Sequence, residues 1–366
     1  KLTKVHRLGY YSVVEEDLGI AGKFKLPKYL EVLKKHGFSF TAKIDYHRIG
    51  LSSYFIFIFN KVIDFKELPY LSWLHTYVIT YNPLGTLIEY YIPIKYRKKL
   101  VKDIHNKFDE KYPNLIIEDV FIIGRERRQP SFSRYNFSEH PLITGYSLSY
   151  LKNKFTELLS EHKKIAIIDE EELEENITGL KDLVDLLILK EFEANAFTML
   201  TQISEKYGFE SAHLRKHLFN HIFRNRLIEG VFLKSKIFID ALSSPLLLFI
   251  ETNDQKVFRA LIGLMQELEC TIGLGYSSEH EKPYKLVVSH YRTLHGFEDF
   301  KKFLLSLYSE GLIDKIIATE YIVPSFKKFT IPYMNFYQEL RDWSLDTLKT
   351  HIFFGKRILR RGSLNQ

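Results

Sequence analysis

The sequence predicts an α+β fold in which a winged helix-turn-helix and a ferredoxin-like βαββαβ unit each occur twice in tandem. Three observations predict it: an internal repeat, the same order of strands and helices in both copies, and a helix–glycine–helix segment ahead of each. Apolar residues make up 45% of the 366 positions, which suffices for packed cores.

The repeat is visible before any motif is sought. Residues 51–53 and 242–244 both read Leu-Ser-Ser, an offset of 191. Upstream the offset is 189, and apolar positions agree in that frame, Tyr29 with Leu218 for example. Two copies that keep one fold are expected to agree at apolar positions while their surface residues diverge.

Both copies show the order strand, helix, strand, strand, helix, strand, because β-branched and aromatic residues fill the strands and Gly, Pro and Asn mark the turns. In the first copy the segments are residues 54–59, 65–74, 76–81, 86–94, 96–112 and 115–123. In the second copy they are residues 246–251, 255–268, 271–276, 284–291, 296–310 and 314–322.

These segments divide the chain into six parts. The parts are helix-turn-helix 1 (1–47), βαββαβ unit 1 (48–128), a linker with a helix (129–179), helix-turn-helix 2 (180–241), βαββαβ unit 2 (242–329) and a C-terminal extension (330–366). The offset places the first helix of helix-turn-helix 1 before Lys1, so this copy is either truncated or reduced. The acidic run at 169–175 is typical of a solvated linker.

Helix-turn-helix 2 is the clearer copy. A first helix is predicted over 182–191, Gly208 marks the turn after the second helix, and Ser211 is predicted to cap a third helix that ends near Asn225. Leu214, Leu218 and Ile222 recur every four residues on that helix, so they are expected to face the core.

The opposite face of the third helix is basic, and no acid occurs between Ser211 and Leu227. A helix fits the major groove of DNA, where Asn and Arg read base edges and Lys and Arg neutralise phosphates. A two-stranded wing is predicted over 228–239. The DNA-contacting residues expected in this copy are Ser211, His213, Arg215, Lys216, His217, Asn220, Arg224, Lys234 and Lys236. In the first copy, where the third helix is predicted over 25–36, they are Lys23, Lys25, Lys28 and Lys34.

Residues 33–51 read LKKHGFSFTAKIDYHRIGL. This junction resembles that of the Lrp/AsnC regulators of bacteria and archaea, in which the recognition helix ends at a Gly, a wing strand follows, and an Ile-Asp pair leads into the sensor domain. Residues 223–244 keep the apolar pattern but have Arg226 where the family has that Gly.

The resemblance implies a cytoplasmic, archaeal-type tandem regulator of transcription that binds double-stranded DNA. Its two copies would form a pseudo-dimer within one chain and read two half-sites about 34 Å apart. Because the copies differ, those half-sites need not match. The family also leaves open a small-molecule effector between the βαββαβ units, and a homodimer.

Other functions are weighed against this one. Siroheme decarboxylases share the fold, and residues 282–293, with His280 and His290, are faintly similar to their site, although the His-Tyr-Arg run expected there is missing. His213, His217 and His221 share one helical face, and three successive turns span too far for one ion to bind all three. Two of them together with a ligand from elsewhere in the chain remain possible as a metal site, and a solvent-facing or DNA-facing role is the alternative. A protein-interaction scaffold is the third alternative.

No catalytic residue, cofactor or metal ligand is therefore assigned, and no phosphate-binding loop or hydrolase motif is present. The single Cys270 excludes an intramolecular disulfide, and no segment is apolar enough to predict a membrane span. The net charge of +7 permits a nucleic-acid partner, and the basic run at 355–362 is either a solvated end or an arm for phosphates.

Overall fold

The computed structural model describes residues 7–18, 26–127, 135–136, 142–143, 145–160, 180, 182–235, 246–278, 280–290, 296–322, 325–337 and 342–345. They form a mixed α+β chain with one large antiparallel sheet. The predicted acidic run at 169–175 and the basic run at 355–362 lie outside these residues. None of the described helices is both long enough and apolar enough to cross a bilayer.

The first helical segment consists of α1 (Tyr11–Leu18), α2 (Leu26–Lys35) and β1 (Phe38–Ile44). Leu26 and Leu30 are the buried residues of α2, and the helix is followed by Gly37 at a φ of 79°. Tyr29, which the repeat aligns with the core-facing Leu218, is 53% exposed. The register of α2 is therefore one residue away from the predicted alignment, since Leu30 and not Tyr29 takes the place of Leu218.

The first βαββαβ unit follows directly. Its elements are β2 (Leu51–Phe59), β3 (Leu74–Tyr81), β4 (Gly85–Pro93), α3 (Arg97–Lys111) and β5 (Ile116–Phe121). The helix predicted over 65–74 is wrong, because two separate 3₁₀ turns, Phe65–Glu67 and Leu71–Trp73, stand there. Pro69 explains the break, since it lacks an N–H and forces the preceding residue out of helical geometry.

The chain then adds β6 (Gly124–Arg127), the short strands β7 (Tyr135–Asn136) and β8 (Leu142–Ile143), and α4 (Leu148–Ser160). The second helical segment consists of α5 (Leu183–Ala194), α6 (Leu200–Tyr207), α7 (Ser211–His217), the π-helical turn Leu218–Phe223 and β9 (Ile228–Ser235). Gly208 joins α6 to the next helix at a φ of 67°, where a side chain would be strained.

The two helical segments are joined through their strands. β9 pairs antiparallel with β1, from Phe38 opposite Ser235 to Ile44 opposite Ile228. The two-stranded wing predicted over 228–239 is therefore wrong: residues 228–235 are one strand whose partner lies in the other copy. Residues 236–239 lie outside the described part of the chain.

The second βαββαβ unit matches its prediction to within one residue at every described boundary. Its elements are β10 (Leu246–Thr252), α8 (Gln255–Glu267), β11 (Thr271–Tyr276), β12 (Tyr284–His290), α9 (Phe297–Ser309) and β13 (Lys315–Tyr321). Helix α4 packs on α8 and α9 of this unit, and the rings of Phe155 and Phe303 lie 5.7 Å apart.

One sheet unites both units in the strand order β5-β2-β4-β3-β13-β10-β12-β11-β6. Each unit thus has the same internal order: its fourth strand, then its first, third and second. Only Ile122 and Ile123 separate β5 and β6, which occupy opposite edges, so the sheet must curl back on itself. Apolar side chains of both halves meet between its faces, where the rings of Phe57 and Phe249 lie 5.6 Å apart.

The described segment after β13, which spans the end of predicted unit 2 and the start of the C-terminal extension, packs on the first unit. It contains β14 (Lys327–Lys328), which pairs with β3, and the two-residue strands β15 (Phe336–Tyr337) and β16 (Asp342–Trp343). The ring centroids of Trp343 and Trp73 lie 6.0 Å apart, and the Trp343 indole N–H donates to the carbonyl oxygen of Ile49 at 2.6 Å.

Candidate nucleic-acid interface

One long helix carries most of the predicted DNA contacts of the second copy. α7 continues without a break into the π-helical turn, and Leu214, Leu218 and Ile222 on its inner side are each 0% exposed. The prediction that these three residues face the core is confirmed. Their burial fixes the helix against α5 and leaves the opposite face outward.

The outward face is polar and basic. Its exposed side chains are His213, Arg215, Lys216, Asn220 and Arg224. Within the described part of the chain, the three cations among them form no ion pair, whereas Lys206 on α6 lies 2.8 Å from Glu191. These cations are therefore available to an anionic partner such as a phosphate.

A shallow depression lies on the same face, lined by Ala212, Arg215, Lys216, Phe219 and Asn220. The Arg215 guanidinium carbon lies 5.7 Å from the centroid of the Phe219 ring. A guanidinium this close to an aromatic ring is attracted by the electrons of the ring, and the attraction restrains its position. The depression thus combines a positioned cation with an amide, the two groups that recognise base edges.

Ser211 and the two later histidines do not lie where the sequence predicts. Glu210 occupies the cap position, and Ser211 is the first helical residue, with its hydroxyl 3.3 Å from that of Ser204. His217 is 5% exposed, so its prediction as a DNA contact is wrong. His221 is partly buried, and both imidazoles lie 2.9 Å from Asp185 of α5, which draws them inward.

In the first copy, Lys28 and Lys34 are exposed on α2 as predicted, and neither forms an ion pair with another described residue. The neighbouring Lys35 lies 3.3 Å from Glu31. Lys23 and Lys25 lie outside the described residues.

The predicted wing residues are only partly described. Lys234 stands in β9 opposite Ser39 of β1, and its side chain is outside the described part of the structure. Lys236 is also outside it. Because β9 pairs with β1, Lys234 belongs to a ribbon between the two helical segments and not to a free hairpin.

A buried polar cluster that the sequence does not predict packs against the second helical segment. Glu193 near the end of α5 accepts a hydrogen bond from the Tyr46 hydroxyl at 2.6 Å, and its carboxylate lies 3.4 Å from His75 and 3.1 Å from Lys328. Burial alone would raise the pKa of Glu193, but the bond with His75 and the charge of Lys328 hold the pKa well below its usual value.

The first unit contributes the other half of this cluster. His75 lies 3.0 Å from Glu89 and stacks on Tyr91 at 3.9 Å, while Arg125 donates to Glu89 and to the Tyr91 hydroxyl. No pattern in the sequence pointed to these residues, because their partners come from segments far apart in the chain.

Comparison with known proteins gives a limited result. No protein-family model matches the chain, and no curated protein matches its sequence. Two solved structures resemble its fold. One is the crystal structure of the siroheme decarboxylase NirDL, with 11% identity and a TM-score of 0.45 over 90% of this chain and 88% of that one. The other is the same enzyme in complex with an iron-uroporphyrin III analogue, with 9% identity, a TM-score of 0.45 and the same coverage. At this level of similarity neither structure bears on the activity of this chain.

The histidines weighed for a decarboxylase-like site do not come together. His280 is exposed in the loop before β12, and His290 is buried at the far end of that strand, about 20 Å along it. Burial lowers the pKa of His290 to about 3, and its ring stacks on Phe300 at 4.4 Å. His290 is therefore a core residue of the second unit.

Proposed function

We propose that this chain binds double-stranded DNA in a sequence-specific manner and thereby regulates transcription. The observation that carries the proposal is the helix spanning α7 and the π-helical turn. Its inner face is held by three fully buried aliphatic residues, and its outer face presents Asn220 and cations that pair with no acid among the described residues. A helix with one anchored and one basic face can enter a major groove without losing its own core.

The roles of the outer residues follow from their chemistry. Asn220 makes bidentate hydrogen bonds to adenine, and Arg215, oriented by Phe219, makes them to guanine. Lys216 and Arg224 flank these residues and neutralise phosphates. The chain's excess of basic residues, 52 Lys and Arg against 45 Asp and Glu, favours the approach of DNA.

The chain acts as an intramolecular pseudo-dimer of the Lrp/AsnC kind. Support comes from strands β1 and β9, which follow equivalent helices in the two copies and pair antiparallel. When equivalent strands pair antiparallel, a local two-fold axis relates them, as in a symmetric dimer. Helix α2, with exposed Lys28 and Lys34, is then the counterpart of the second-copy helix. Each helix reads one half-site, and the half-sites differ because the outer faces differ.

The test begins with selection of bound duplexes from a random library by the full chain, followed by fluorescence anisotropy on the selected site. Lys216→Ala combined with Asn220→Ala is expected to weaken binding to that site by about 2 kcal/mol or more, roughly thirtyfold. Circular dichroism should show an intact fold, because both side chains are exposed.

Lys302→Ala is the matched control. Lys302 is an exposed lysine on α9, remote from the proposed interface, and its loss removes the same charge. It should leave the affinity within about twofold of the parent. Failure of the library to yield an enriched sequence, or equal affinities of the double variant and the control, would refute the proposal.

A further inference from the structure

Two acids and two histidines lie close together where the start of α5 packs beside the second-copy helix, which consists of α7 and the π-helical turn. His217 Nδ1 lies 2.9 Å from Asp185 Oδ1 and 3.3 Å from Asp182 Oδ1. His221 Nδ1 lies 2.9 Å from the same Asp185 oxygen. The four donor atoms all lie within 4.8 Å of one another.

The cluster is inside the molecule. Asp185 is 0% exposed and His217 5%, while Asp182 and His221 are partly buried. Two carboxylates so close together in a buried setting need compensating positive charge. A divalent cation supplies two charges at once and leaves both imidazoles neutral, the form in which they bind metals.

The carboxylates are positioned independently of any ion. Asp182 Oδ1 accepts hydrogen bonds from the N–H groups of Val184 and Asp185 at 2.9 and 3.2 Å, and the Asp182 N–H donates to Asp185 Oδ2 at 3.3 Å. This reciprocal cap at the start of α5 holds both acids toward the neighbouring helix.

The histidines are positioned by their helix. They are four residues apart, so they share one side of it, and their rings stand 4.7 Å apart at 87°. The π-helical turn starts at Leu218, between them, and turns of this kind are frequent at functional sites. Both Nδ1 atoms consequently face Asp185.

We propose that Asp182, Asp185, His217 and His221 bind one divalent transition-metal ion of the Zn²⁺ class. Two imidazole nitrogens and two carboxylate oxygens are a donor set that Zn²⁺ accepts in tetrahedral geometry. With metal–ligand bonds of about 2.0–2.1 Å, tetrahedral ligands lie about 3.3 Å apart. The three His–Asp separations above, 2.9–3.3 Å, are close to that value, and all four donor atoms lie within 4.8 Å of one another. Ca²⁺ and Mg²⁺ are disfavoured, because they prefer oxygen ligands only.

The ion joins α5 to the helix formed by α7 and the π-helical turn. It thereby stabilises the packing that leaves the basic face outward. The existence of the site does not depend on the proposed DNA-binding function, because ion binding is measured without DNA.

The experiment uses the full chain, stripped with a chelator and dialysed. Zn²⁺ is titrated and the bound metal measured by inductively coupled plasma mass spectrometry, and Co²⁺ is titrated as a coloured probe of tetrahedral coordination. The parent should bind one ion per chain, show intense visible Co²⁺ absorption, and gain thermal stability on addition of Zn²⁺.

Asp182→Asn is the most informative variant. Asn caps helices as well as Asp, so α5 should still form, while one ligand charge is lost. Binding should weaken at least about tenfold, and His221→Gln should have a similar effect. His36→Ala is the matched control, since His36 directly follows α2, is exposed and is not among the four.

Each outcome decides the matter. A parent chain that binds no Zn²⁺ or Co²⁺ in the micromolar range holds its histidines through Asp182 and Asp185 without a metal, and the proposal is overturned. Binding that survives both ligand variants, or that is lost in His36→Ala, overturns it as well. If either ligand variant fails to fold, the other variant and the parent titration still decide.

Discussion

The Nε2 atom of His75 lies 3.4 Å from the Oε1 atom of Glu193, and this contact joins the first βαββαβ unit to the second helical segment. Both side chains are nearly inaccessible to solvent. Glu193 also receives hydrogen bonds from Tyr46 and from the backbone N–H of Ile331, so one carboxylate holds three parts of the chain together.

Glu193→Gln should therefore lower the free energy of unfolding by about 3 kcal/mol, because a neutral amide cannot replace the buried carboxylate that accepts from Tyr46 and Ile331 and faces Lys328. Urea unfolding followed by circular dichroism measures the change. Glu205→Gln, an exposed acid on α6, is the control and should change stability by less than about 0.5 kcal/mol. Equal effects of the two variants would show that the cluster does not hold the segments together.

His290 should make the second unit sensitive to acid. Its folded-state pKa of about 3 lies below the ordinary value of about 6.5, so between these values the unfolded chain binds one more proton. Stability from this group is present above pH 6.5 and is lost as pH falls toward 3. His290→Asn should reduce the slope of unfolding free energy against pH in that window by up to about 1.4 kcal/mol per pH unit. Unfolding titrations at several pH values measure it, and an unchanged slope would contradict the prediction.

Arg226 has a left-handed φ of 50° three residues after the π-helical turn ends at Phe223. Gly37 has a left-handed φ of 79° two residues after α2 ends at Lys35. Side chains other than Gly are strained by about 1 kcal/mol in this conformation. Arg226→Gly should therefore stabilise the chain by up to about 1 kcal/mol, seen as a higher thermal midpoint. Arg224→Gly, at a helical φ of −59°, should destabilise it by a similar amount. Destabilisation by both variants would show that the strain is absent.

Lys34 is proposed to contact a phosphate and not a base. Lys34→Ala should reduce the slope of log affinity against log salt concentration by about one, with the preferred sequence unchanged. Anisotropy titrations between about 50 and 200 mM salt measure the slope. A changed sequence preference with the parent slope would assign Lys34 to base recognition.

The sequence predicts the second βαββαβ unit well because its signals are local. Alternating strands, an amphipathic helix and turn residues locate each element to within one residue. The same reasoning fails over 65–74, where Pro69 divides an otherwise helical pattern into two short turns. It also misplaces Tyr29, since the second-copy helix contains a π-helical turn that α2 lacks, and such a turn adds one residue.

Contacts between distant segments account for the other differences. β9 looks like half of a hairpin, but its partner β1 lies in the other copy. His217 and His221 fit a basic outer face by spacing alone, and they turn inward because Asp185 lies 32 and 36 residues upstream of them. Arg215, Lys216 and Asn220 on the outer face contact no acid in the described ranges, and they are exposed as the spacing predicts.

Sequence-specific DNA binding is tested most directly by crosslinking the native protein to DNA in its own cells and sequencing the recovered fragments. The parent should be enriched at discrete sites that share a motif with two unequal half-sites. The variant with Lys216→Ala and Asn220→Ala, expressed at the same level, should lose that enrichment. Uniform recovery of genomic DNA by the parent, or identical site profiles for parent and variant, would contradict DNA recognition by the second-copy helix.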